Sequence, residues 1–281
     1  MEIIVHVIEH SIEDSLGLLP FLFLTYLVME YVEHKTGDGI TRILQKAGKI
    51  GPFAGGVAGV IPQCGMSAAA SSLYAGRMIT LGTLIAIYLS TSDEMLPIML
   101  SNAVPAGEIV KILLLKAGIG MLAGFLVDFV VRKSGKKEEG LKIHGMCEHE
   151  HCGCEGGIVK SALHHTVHIF VFILLITALL NLGLELLGED SLFWEALSQP
   201  VLGPLLAGII GLIPNCAASV VITQMYLSGT IAFGTMMAGL LVGAGVGIMV
   251  LLRVNESKAE SLRIIALLYG IGAVAGGLLN L

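Results

Sequence analysis

The sequence predicts an all-α polytopic membrane protein built as two inverted five-helix repeats, with proline-broken helices, some short enough to re-enter rather than cross. Three observations carry this: the composition, an internal repeat, and the placement of basic residues. Of 281 residues, 55% are hydrophobic and only 14% charged. A soluble domain carries roughly a quarter charged residues. Mean hydropathy is +0.86, and Gly, frequent in membrane helices, contributes 36 residues. The second observation comes from sliding the chain along itself. At an offset of 152 residues, Gly51-Pro52 falls on Gly203-Pro204, Gly56 on Gly208, Gly59 on Gly211, Ile61-Pro62 on Ile213-Pro214, and Cys64 on Cys216. Ser67 falls on Ser219, Tyr74 on Tyr226, Ile79 on Ile231 and Gly82-Thr83 on Gly234-Thr235, making 12 identities in 33 positions. The same offset matches Glu108 with Glu260 and 118–124 with 270–276.

Each half reads as a long helix (12–33 and 163–186) followed by a proline-broken segment (51–76 and 203–228). Two short segments come next (78–91 with 95–105, and 230–241 with 243–252), and a last helix closes each half (109–131 and 262–280). A full span needs about 20 apolar residues, so the short segments are tilted, broken or re-entrant. Five crossings per half, or three if a pair re-enters, are both odd, and odd halves are inverted. Basic residues agree. Lys35, Arg42, Lys46 and Lys49 follow the first helix; Lys133, Lys136, Lys137, Lys142 and Lys160 lie in the central loop; Arg253, Lys258 and Arg263 precede the last helix. Odd halves put all three clusters on one side, as the positive-inside rule requires. The expected organisation is a first membrane repeat over 1–131, a cytosolic loop over 132–160 and a second membrane repeat over 161–281. Both termini are expected outside the cytosol, in a multi-pass protein of the cytoplasmic membrane. The start, with Glu and His where a leader needs basic residues, does not read as a cleavable signal.

The repeated Ile-Pro-amide-Cys motif raises the functional question. Proline removes a donor and breaks the helix near Pro62 and Pro214. Broken backbone at membrane depth is tolerated where it is buried or lines a cavity, and inverted-repeat transporters bind substrate at such paired breaks. Gln63-Cys64 and Asn215-Cys216 are therefore expected as two faces of one central site, with Ser67 and Ser219 nearby. Amide oxygens, freed carbonyls and thiols suit a borderline metal or a thiophilic species. The competing account is that Pro, Gly and Cys serve packing alone. Ser92, Asp93 and Glu94 interrupt the first pair of short segments, where the second half has 244–246. Carboxylates between apolar runs are costly and mark function; they bind a cation or exchange protons for one. The alternative is a short exposed turn in which Ser92 and Asp93 cap the next helix. Asn102 extends the polar path. Asp128, near its helix end, is expected to snorkel to water.

His144, Cys147, His149, His151, Cys152 and Cys154 crowd the central loop with Glu148, Glu150 and Glu155. Thiol and imidazole ligands at this density bind zinc or copper(I), in a flexible chelator rather than a zinc finger; a solvated linker is the plainer account. His10, Glu13 and Asp14 share one helix face, as do His164, His165 and His168, and are expected as vestibule metal ligands or interfacial anchors. Nothing reads as a nucleotide loop or hydrolase triad. The expectation is a non-enzyme that needs no cofactor and binds neither nucleic acid nor nucleotide. Its partners are the lipid bilayer and a metal ion (manganese, zinc or copper) or metalloid, and homo-oligomerisation is left open.

The stretch GVIPQCGMSAAASSLYAGRMITLGTLIAIYLSTSDEMLPIML (59–100) resembles the ArsP-like ten-helix heavy-metal exporters, often described as manganese transporters or arsenic efflux proteins. The resemblance covers nearly the whole chain, including both Pro-amide-Cys segments and the His-rich loop. It implies efflux of a metal ion or metalloid through an inverted-repeat permease. Gln63, Cys64, Ser92, Asp93 and Glu94 match the pattern. Secondary-active, ion-coupled export of a divalent metal is the expected function, manganese first. An arsenical permease and a membrane metal sensor are the rivals.

Overall fold

The computed structural model describes residues 50–60, 64–92, 95–133, 196–214 and 216–281, with scattered helical positions in 20–27 and 159–175. Ten helices lie in the continuous stretches. In the first half they are α1 (Gly51–Gly59), α2 (Cys64–Ala75), α3 (Leu81–Ser90), α4 (Met95–Ser101) and α5 (Ala106–Lys133). In the second they are α6 (Leu202–Gly211), α7 (Cys216–Leu227), α8 (Phe233–Val242), α9 (Gly247–Val254) and α10 (Lys258–Leu279). No strand occurs among the described residues.

Local chemistry sets the helix ends, and at the ends of α2 and α7 it recurs at the same offset. The Thr80 hydroxyl caps α3 by accepting from Thr83 N at 3.1 Å; the Ser257 hydroxyl caps α10 by accepting from Glu260 N at 3.2 Å. Each satisfies one orphan amide of a helix start. Helix α2 ends in a Schellman turn, with Arg77 N donating to Tyr74 O and Met78 N to Leu73 O, both at 2.9 Å. Helix α7 ends in the same way, through Gly229 N to Tyr226 O at 3.0 Å and Thr230 N to Met225 O at 2.9 Å. That turn needs a left-handed residue, normally glycine. Gly229 supplies it with φ 75°; Arg77 adopts φ 57° despite its Cβ. Strain of this kind persists where something else fixes the residue, and Arg77 has such an anchor, described below.

Chain direction follows from where glycines touch. A Cβ on Gly51 would meet the Thr83 side chain, and one on Gly59 would meet Ser90 and the Ile87 carbonyl. Helices α1 and α3 thus run parallel, and α2 must carry the chain back between them. The proline-broken segment 51–76, read from sequence as one kinked helix, is a helical hairpin. In the second half, Gly203 lies against Thr235 and Gly211 against Gly239, so α6 and α7 fold back too. Helix α5 runs antiparallel to α3: Gly82 and Gly124 each abut the other's carbonyl, while Gly120 lies against Ala86 and Ser90. Gly234 and Gly276 repeat the crossing for α8 and α10.

In the second half the two short segments join into one interrupted span. Phe233–Val254, covering α8 and α9, is apolar and long enough to cross a membrane, as are Ala106–Lys133 and Lys258–Leu279. Burial orders them: 89% of the Phe233–Val254 window is enclosed by protein, against 28% for Lys258–Leu279. Helices α3, α4, α8 and α9 are central, and α5 and α10 flank them. Leu114, Leu122, Leu126 and Phe129 of α5 face outward with Leu262, Val274 and Leu278 of α10, a surface suited to lipid tails. Between halves, α2 packs on α9 and α7 on α4.

Asp128 corrects the snorkelling expectation. It is buried, accepting from Gly82 N at 2.8 Å and the Thr80 hydroxyl at 2.7 Å. A carboxylate there meets the positive end of the α3 dipole. Its repeat counterpart, Asn280, instead donates to the Thr235 hydroxyl at 3.1 Å and Pro200 O at 3.2 Å.

Candidate functional site

Helix α8 stops partway through its span, at Val242, and its counterpart α3 ends at Ser90. Helix ends leave carbonyls without intrahelical partners, and the dipole makes that end negative. A small cavity of about 10 Å³ lies there, lined by Thr91, Ser92 and Met95 of the first interruption, by Gly243 and Gly245 of the second, and by Leu240 of α8. The α6–α7 break adds Ile213, Ala218 and Ser219, and α5 adds Lys116. This is close to the room one water molecule needs. The lining is mixed: the hydroxyl-bearing Thr91, Ser92 and Ser219 and backbone of both interruptions stand beside Met95, Ile213, Ala218 and Leu240, and oxygen donors of this kind suit a hard cation.

Of the residues singled out from sequence, Ser92 and Ser219 line this cavity. Ser92 is buried, and its hydroxyl donates to Val60 O at 2.8 Å, tying the α3–α4 interruption to the end of α1. Ser67 is fully buried in α2 but stands off the cavity wall: its carbonyl accepts from the Ser71 hydroxyl at 2.7 Å, and it abuts Gly247. Asn102 is exposed at the end of α4, where its amide donates to Ile98 O at 2.9 Å; it caps that helix and stands away from the cavity. Gln63, Asn215, Asp93 and Glu94 lie outside the described residues, as do the side chains of Cys64 and Cys216. Ser92 and Met95, which flank the two carboxylates, both line the cavity, as do Ile213 and Ala218 around the second motif. His10, Glu13, Asp14, His164, His165, His168 and the loop ligands His144, Cys147, His149, His151, Cys152 and Cys154 also lie outside the described residues. Among the described residues, no group of three His, Cys, Asp or Glu could hold a metal.

Lys116 is the residue sequence reasoning passed over. Its side chain is almost wholly buried, and its ammonium donates to Thr91 O and to Leu240 O, the latter at 2.7 Å. A signal was present: a lysine inside a span is functional by default, and the repeat sets the apolar Leu268 against it. A second network joins the halves beside it. The Ser71 and Tyr88 hydroxyls lie 2.6 Å apart, and both are within hydrogen-bond reach of Gly247 O, at 2.7 and 3.1 Å, so the two protons are shared within this cluster. In the repeat, Leu240 replaces Tyr88, and the buried Thr223 hydroxyl that corresponds to Ser71 has no hydrogen-bond partner among the described residues.

One face carries an ion pair between the halves. Arg77, in the turn after α2, donates through both terminal nitrogens to Glu260 of α10 at 3.0 Å each, and the Tyr74 hydroxyl donates to the same carboxylate at 2.6 Å. The guanidinium also lies 5.3 Å from the Tyr74 ring centroid. The carboxylate bond raises the Arg77 pKa further above its ordinary value. Bidentate geometry makes this stronger than a usual surface pair, which accounts for the strained Arg77 backbone. Gly229 occupies the equivalent position in the second half, so the clamp has no twin.

A family model, ArsP_2, described as a "Putative, 10TM heavy-metal exporter", matches residues 4–198, more than two thirds of the chain. No curated protein and no solved structure matches it.

Proposed function

The chain belongs to that family of ten-span heavy-metal exporters, and from this premise we propose that it is a secondary-active transporter that carries a divalent metal cation out of the cytosol, with manganese ahead of zinc and copper. The observation that carries the reading is the cavity where interrupted helices from both halves meet, lined in part by Thr91, Ser92 and Ser219 and flanked in sequence by Asp93 and Glu94. Carboxylate, hydroxyl and carbonyl ligands favour manganese over softer ions. Nothing in the chain resembles an ATP site, so exchange for protons or another ion supplies the energy.

The halves are inverted in this account. Helix α5 runs back along α3, so the turn holding Arg77 and the start of α5 lie at opposite membrane faces. Arg77 nevertheless binds Glu260, at the start of α10, which is the repeat equivalent of the start of α5. Two parallel halves would separate those residues by the membrane thickness. Counting the hairpin helices singly gives five embedded segments per half. Arg132, Lys133, Arg253 and Lys258 then share the Arg77 face, which the positive-inside rule makes cytosolic. Rocking one half against the other about the cavity gives alternating access. The Arg77–Glu260–Tyr74 clamp closes the cytosolic entrance and must open for a metal to enter.

Purified protein in proteoliposomes, presented in turn with manganese, zinc, copper(I) and arsenite, tests this. Manganese flux exceeding the others and depending on an ion gradient is the expected result. Flux of arsenite alone would replace the substrate, and no flux of any would overturn the transporter reading.

A further inference from the structure

Two helix C-termini that approach each other inside a membrane create a problem of their own. Each brings carbonyls without intrahelical partners and the negative end of a dipole. Thr91 is the C-cap of α3, and Leu240 lies in the last turn of α8, so their carbonyls belong to opposite halves. Lys116, reaching from α5, donates to both. Among the described residues nothing comparable comes from the other side, where the repeat places the buried Leu268.

We propose that these carbonyls form a small-cation site and that the Lys116 ammonium is its tethered occupant. It ties the halves together at membrane depth while the cavity is empty of substrate. The site would accept an alkali cation or a small primary ammonium if the tether were removed. In the transport cycle, a point that rests on the exporter reading, an arriving cation meets oxygens that already hold a charge. It binds only by displacing Lys116, and this frees the halves to rock. Lys116 is thus a positioning residue whose displacement links cation binding to movement.

The test reads stability rather than transport, so it can fail or succeed whether or not the protein exports metal. Full-length protein in detergent is heated in choline chloride, and in sodium, potassium or methylammonium chloride at equal ionic strength. Wild-type Tm should be the same in all four. Lys116→Ala should melt roughly 5 °C or more lower in choline, and sodium or methylammonium should restore most of that loss with a saturating dose response. Lys116→Arg keeps a tethered charge and should be as insensitive to salt as the wild type. If Lys116→Ala survives purification only with methylammonium present throughout, the proposal stands. It is overturned if Lys116→Ala is as stable as the wild type in choline, or if small cations restore Lys116→Ala and Lys116→Arg alike. It is also overturned if no small cation recovers Lys116→Ala while Lys116→Met folds and ignores salt.

Discussion

Asp93→Asn is expected to abolish manganese flux in proteoliposomes, while Cys64→Ser retains a large part of it. Manganese prefers oxygen ligands and gains little from a thiol. Position 93 falls in the sequence between Ser92 and Met95, two residues of the cavity wall. A cation entering a low-dielectric site also needs a compensating negative charge, and this need is sharper beside the buried Lys116 ammonium. Asparagine keeps the shape and removes the charge. Losing even an outer partner of a metal ligand costs roughly 10–100-fold, so loss of a ligand should exceed about 100-fold in initial rate. Equal amounts of incorporated protein make the comparison fair. The opposite order, with Cys64→Ser silent and Asp93→Asn active, would mean a thiophilic substrate such as an arsenical.

Alanine at the glycine crossings should damage the fold more than alanine elsewhere on the same helices. A Cβ on Gly82 would lie 2.1 Å from the Gly124 carbonyl oxygen, and one on Gly124 would lie 2.4 Å from that of Gly82. For Gly234 and Gly276 the distances are 2.2 and 2.4 Å. Backbone cannot step aside as a side-chain tip can, and helices in lipid associate through such close approach. A Cβ on Gly82 would also press on the Asp128 carboxylate that caps α3. Gly118 of α5 and Gly270 of α10 have open space where a Cβ would go. Gly82→Ala, Gly124→Ala, Gly234→Ala and Gly276→Ala should each cost about 2 kcal/mol or more, read as lower Tm and yield in detergent. Gly118→Ala and Gly270→Ala should be neutral or stabilising by up to about 1 kcal/mol. Similar losses at all six positions would contradict the crossing geometry.

Much of this architecture was legible because it is written twice. The offset of 152 residues that aligned the Pro-amide-Cys motifs also relates the bounds of α3 to those of α8 and of α2 to those of α7, and it pairs left-handed Arg77 with left-handed Gly229. The reversal between α1 and α2 was not legible. Hydropathy records burial, not direction, and a proline at 62 permits a kink as readily as a hairpin. Only the glycines of α1, each small enough to touch α3, reveal the parallel run. The site was half legible. Interruptions flanked by apolar runs pointed to Ser92 and Ser219, since polar groups there need a cavity. Asn102 matched the pattern but sits about two turns beyond Met95 of the wall. Lys116 escaped because its meaning depends on carbonyls that are distant in sequence, one of them in the other half. Asp128 likewise takes its role from a helix start that sequence leaves far away.

The account stands on the two halves running in opposite directions around one shared cavity, and sidedness tests that most directly. Pro105, before α5, and Glu256, before α10, occupy nearly equivalent places in the repeat, and both are exposed. Each is replaced by cysteine in a chain whose native cysteines are serine, and intact cells are treated with a membrane-impermeant maleimide. Cysteine at 105 should label in intact cells, and cysteine at 256 only after the membrane is opened. Labelling of both from the same side would contradict the inverted arrangement, and with it the site built where the halves meet.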